Sequence, residues 1–224
     1  PTGTHAMWLY YWWAAHGIDP FKDVKSIVVP PPQMVANMRV GNMDGYCVGE
    51  PWNARAIMDK IGFTVNTTQD IWKDHPEKVL GCTAEFAQKY PNTARALIMA
   101  VLDASMYIDD MKNRAVVAKL IAQKSYVNAP EDVIAGRFSG DYDNGAGKVW
   151  KDPDYMKFFN DGKTCYPYLS DGMWFMTQHR RWGLLSSDPD YLAVAKQVNQ
   201  LDLYSQAATQ LKVPLPSSPL RTST

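Results

Sequence analysis

The feature that most limits what this chain can fold into is an alternation confined to its first third. Short apolar or β-branched runs, bounded by proline or glycine, take turns there with helix-forming stretches. Thr4 stands where it can cap a helix over residues 4–15, with Trp8, Leu9, Tyr11, Trp12 and Ala15 at helical spacing, and Gly17 with Asp19 and Pro20 stops it. Residues 25–29 read as a buried strand ended by Pro30, Pro31 and Pro32; a helix follows over 33–40, and 44–48 reads as the next buried strand. Glu50 and Pro51 open a helix that runs to about residue 61. Proline suits a first turn, where its missing N–H has no use, and glutamate suits the positive end of the helix dipole. Gly62 closes that helix, and residues 63–67 form another strand. Strands and helices alternating at this spacing imply an α/β fold.

From residue 76 the pattern changes. Residues 78–82 are the last strand-like run; after them come helices expected at 84–89, 91–111, 115–123, 130–135, 170–182, 191–199 and 201–211, with a loop-like 139–147 and a Pro/Ser-rich tail. The chain therefore reads as two parts, an α/β part over 1–75 and a crossing strand with mostly helical sequence over 76–224. So few strand residues cannot make a sheet for so many helices. The chain, which starts at Pro1, is expected to be a piece of a longer protein whose upstream half supplies the rest of the sheet and holds any signal peptide or lipid anchor.

The 224 residues are 46% hydrophobic and 21% charged, enough apolar material for a full core, and 23 lysines and arginines balance 23 aspartates and glutamates. No basic stripe points to nucleic acid. Apolar runs such as 96–102 fall far short of the roughly 20 residues of a membrane helix, so a soluble body is expected. Cys47, Cys82 and Cys165 are too few and too scattered for a disulfide framework or a zinc knuckle, and read as buried thiols. His5, His16, His75 and His179 show no metal-ligand spacing, and the 144–148 run Asn-Gly-Ala-Gly-Lys lacks the flanking strand and helix of a phosphate loop. Cys47 sits in an apolar run with nothing to orient a base beside it. What remains is a set of hydrogen-bond donors without a nucleophile: His5 at a helix start, the backbone N–H groups near Val48 and Gly49, and Lys78. Such a set suits the holding of a small anion.

Three stretches carry a specific resemblance: residues 30–38 (PPPQMVANM), 45–53 (GYCVGEPWN) and 71–78 (IWKDHPEK), continued by 174–183 (WFMTQHRRWG) and 219–224 (PLRTST). With these motifs the chain resembles the solute-binding proteins of nitrate/nitrite ABC transporters, to which bicarbonate-binding proteins are close. The resemblance implies a two-lobed, type II periplasmic-binding fold that closes on its ligand, present here as a C-terminal piece. On that view 1–75 is the α/β part of lobe two, and 76–224 is the crossing strand and helical return to lobe one. Motif by motif, the contacts to the anion carry over to His5, Pro31, Val48, Gly49 and Lys78. Bicarbonate-binding relatives have a carboxylate at the position of Lys78, which suits a ligand with a proton to donate and a metal ion alongside. Nitrate only accepts, so a lysine there implies nitrate or nitrite.

The resemblance further implies no catalytic residue, metal or cofactor, an ABC transporter permease as partner, and a periplasmic or cell-envelope location with membrane attachment only through an upstream lipid anchor. Alternatives within the fold are a cytoplasmic nitrate sensor, a regulatory domain fused to a transporter ATPase, and a bicarbonate-binding relative. An enzyme on the same fold is the alternative of another class.

Overall fold

The computed structural model describes residues 2–153 and 155–222, so the last two residues of the 219–224 motif lie outside the described residues. In chain order the helices are α1 (Thr4–Ala15), α2 (Met34–Arg39), α3 (Trp52–Met58), α4 (Ala84–Lys89), α5 (Pro91–Asp109), α6 (Met111–Ile121), α7 (Glu131–Phe138), α8 (Leu169–Arg181), α9 (Tyr191–Val198) and α10 (Leu201–Gln210). The strands β1 (Asp141–Asp143) and β2 (Val149–Lys151) form an antiparallel hairpin between α7 and α8. No helix among the described residues is long and apolar enough to cross a membrane.

The chain divides into two compact units, one of residues 1–73 and 114–156, the other of 74–113 and 157–224. The chain changes unit again at residues 113 and 156, so α7 and the hairpin belong with the first unit.

In the first unit α1 buries Met7, Trp8 and Tyr10, and the Trp8 ring meets Trp72 edge-on at 5.8 Å. Gly3, not Thr4, holds the N-cap position, and Thr4 is already helical. A 3-10 turn, Pro31–Gln33, uses the fixed φ of proline to lead into α2. Helix α3 packs against α2 and α7, and α7 turns Val133, Ile134 and Phe138 inward. The hairpin pairs Tyr142 with Trp150; its turn is closed by the Asn144 side chain, which accepts from the N–H groups of Ala146 and Lys148. The loop expected over 139–147 therefore includes a strand, a short one that the neighbouring glycines conceal in the sequence.

The second unit is built on α5 packed against α10, around Leu102, Tyr204, Ala207, Ala208 and Val213. The Asp109 carboxylate at the end of α5 accepts from the N–H groups of Phe158, Phe159 and Asn160, each at 2.8 Å, and so holds the returning chain. The tail is fastened to the start of α8. The Leu169 N–H donates to the Pro219 carbonyl, and Arg221 pairs with Asp171 through two bonds of 2.8 Å.

The four runs expected as strands, 25–29, 44–48, 63–67 and 78–82, have no regular secondary structure. Apolar side chains of 25–29 and 78–82 are uncovered, with Val28 77% exposed and Val79 86%, while Val48 in 44–48 is buried. A strand is stable only in a ladder that pairs its backbone and covers its side chains; the described residues give 63–67 a backbone bond, from the Thr64 N–H to the Asn144 carbonyl at 2.8 Å, but no ladder. Cys82, expected as a buried thiol, is exposed for the same reason, since it ends the last of these runs.

Candidate functional site

The residue types singled out in the sequence fall into both units. His5 lies in the first turn of α1, partly buried, and faces the backbone of residues 48–50: a side chain placed on Gly49 would begin 3.7 Å from His5 Nε2. Val48 is 8% exposed. Pro31 opens the 3-10 turn before α2 and is exposed. Lys78 belongs to the second unit, where its side chain is 80% exposed and pairs with Glu77 at 2.8 Å. The structure thus brings His5 and Gly49 together, while Pro31 and Lys78 each stand at an exposed position of their own unit.

Residues 48–50 are held from behind. Asn53 donates through Nδ2 to the Val48 carbonyl at 2.8 Å, so that this carbonyl is engaged with α3. The Glu50 carboxylate accepts the Ala54 N–H at 3.0 Å, which caps α3, and pairs with Arg137 Nε at 3.1 Å. Arg137 is only 3% exposed; its Nη2 donates to the Asp143 carbonyl at 3.0 Å and its guanidinium lies 4.3 Å above the Tyr142 ring. Burial pushes the Glu50 carboxyl above its ordinary range, against the opposing pull of Arg137 and the Ala54 N–H. Burial, then the neighbouring Glu50 charge, raises the phenols of Tyr46 and Tyr142 to about 12. The two phenols therefore stay protonated near neutral pH.

Sequence reasoning assigned Glu50 to the helix start and missed Arg137. The signal was there. An arginine one turn from Val133 and Ile134 and next to Phe138, on the apolar face of a short helix, must find a carboxylate or carbonyl inside. Among the described residues no three histidine, cysteine or acidic side chains gather as a metal site. In the first unit the His5 imidazole stands beside Gly49; the Lys78 ammonium stands exposed in the second.

Residues 1–122 match the NMT1-like family, and the chain belongs to it. Among curated proteins it is 40% identical to the nitrate/nitrite binding protein NrtA of Synechocystis sp. over 225 residues, 99% of this chain and 50% of that protein. It is 33% identical to the bicarbonate-binding protein CmpA of Synechococcus elongatus, over 98% of this chain and 50% of that protein. The crystal structure of the periplasmic nitrate-binding protein NrtA from Synechocystis PCC 6803 superposes with a TM-score of 0.95 at 40% identity, covering 99% of this chain and 58% of that one. The fold is therefore that of a periplasmic binding protein, and the chain spans about half the length of the curated relatives it matches.

Proposed function

We propose that this chain is the part of a solute-binding protein that holds nitrate or nitrite through His5, Pro31, Val48, Gly49 and Lys78, for delivery to the permease of an ABC transporter. The observation that carries the reading is that His5 Nε2 stands beside Gly49, where a side chain on Gly49 would begin 3.7 Å from it. The likeness to NrtA supports nitrate as the anion. Lys78 supports it against bicarbonate, since an ammonium group cannot accept the proton that bicarbonate must donate. The likeness to a periplasmic protein supports a periplasmic or cell-envelope location, and the proposal adds attachment through a lipid anchor and a role as carrier of its ligand and not as an enzyme. The division of 1–75 into lobe two and 76–224 into the return to lobe one is part of this proposal.

The test is calorimetric titration of the full-length protein with nitrate. Lys78→Ala should weaken binding more than His5→Ala at alkaline pH, because a hydrogen bond from a charged group is worth roughly 1.5–3 kcal/mol and a neutral one about 1. A Lys78→Ala protein that binds nitrate like the wild type removes Lys78 from the site.

A further inference from the structure

We propose that Glu50 and Asn53, braced by the buried Arg137, are positioning residues that hold the Val48–Gly49 backbone in its anion-facing geometry. The inference rests on the reading of residues 48–49 as anion contacts and adds to it the side chains that aim them. A backbone N–H works as an anion donor only if its peptide plane is fixed, because a plane free to turn must be ordered again at each binding event. Both ends of this short segment are tied. The Val48 carbonyl is taken by Asn53 Nδ2 at 2.8 Å, and the Glu50 side chain is locked between the Ala54 N–H at 3.0 Å and Arg137 Nε at 3.1 Å. Arg137 is itself fixed by the Asp143 carbonyl and the Tyr142 ring, so the brace ends on the hairpin and not on a mobile side chain. Gly49, between the two ties, leaves the space next to His5 Nε2 open.

A carboxylate this close to an anion contact is electrostatically unfavourable, and that makes the two possible roles of Glu50 separable. If Glu50 acted only through its charge, removing it would tighten anion binding. If it positions the backbone, removing it loosens binding in spite of the gain in charge. The experiment titrates nitrate into full-length wild-type, Glu50→Ala, Glu50→Gln and Asn53→Ala proteins, with melting temperature as the control for folding. Wild-type binding comes first, so that a failure of the anion reading itself is separated from a failure of the brace. The expected result is about a tenfold rise in Kd for Glu50→Ala and Asn53→Ala, while Glu50→Gln, which loses the charge and keeps one acceptor oxygen for either the Ala54 N–H or Arg137, falls between wild type and Glu50→Ala. Asn53→Ala, which touches no charge and leaves Arg137 paired, carries the test if Glu50→Ala does not fold. Wild-type or tighter affinity in Asn53→Ala, or Gln and Ala variants at position 50 that behave alike, overturns the proposal.

Discussion

At the scale of single residues, conformations that only glycine tolerates and polar groups that must be buried leave the clearest marks. Gly162 has φ +82°, and a methyl group there would meet Val213 Cγ1 at 2.8 Å and the Pro214 carbonyl oxygen at 3.0 Å. Val213 belongs to the buried core of the second unit. Gly162→Ala should therefore cost about 2 kcal/mol or more, read as a lower midpoint in urea unfolding. His75 shares the pH sense of an acid in a salt bridge, since its folded value is lowered. Burial holds its imidazole below the ordinary value of 6.5, outweighing the Pro76 carbonyl, Glu77 and Asp74, while Arg221 adds to the downward shift. Its contribution to stability is complete above 6.5 and is lost as pH falls through the lowered folded value. Melting temperatures measured from pH 8 to 5 should fall more steeply for wild type than for His75→Asn; parallel curves would count against this assignment. None of this was legible in the sequence, where His75 shows no metal-ligand spacing and Gly162 is one of 14 glycines. The meaning of both lies in contacts with residues far along the chain.

Elements were legible in proportion to how far they are self-sufficient. Helix α1 was expected over the residues it occupies, and α8, α9 and α10 lie within one residue of expectation, because periodicity and capping act within a few turns. The break between α5 and α6 was expected over residues 112–114 and falls at Asp110, which turns extended. The four strand-like runs failed for the complementary reason, since a strand takes its stability from a neighbour and its own sequence does not say where that neighbour is. The fastening of the tail to α8 likewise depends on partners 50 residues apart, Arg221 and Asp171. Burial pushes the Asp171 carboxyl up, and the Arg221 guanidinium opposes this. Arg221→Met should leave that carboxylate half-buried and unpaired, at a cost of roughly 1.5–3 kcal/mol per lost charged bond, visible as faster amide exchange at the start of α8. Unchanged exchange there would show that the backbone bond from Leu169 to Pro219 suffices.

For the whole molecule, the sequence motifs gave the family and the structure explains why the site reads as it does. His5 and Gly49 meet because α1 and the segment before α3 belong to one unit; Glu50 was expected only as a helix-start residue, and its buried partner Arg137 lies 87 positions away in another helix. The central claim is that donors alone, without a metal, hold an anion that needs no acceptor. Bicarbonate carries an O–H, and burying it without an acceptor costs roughly 1–3 kcal/mol. Lys78→Glu should abolish nitrate binding, because it replaces attraction by repulsion, and any bicarbonate binding it permits should need calcium between the two negative charges. The most direct measurement is titration of the full-length wild-type protein with nitrate, with and without a chelator, and in competition with bicarbonate. The account predicts the same nitrate affinity in both conditions and little competition. Nitrate binding that disappears on chelation, or bicarbonate that binds in its place, would contradict it.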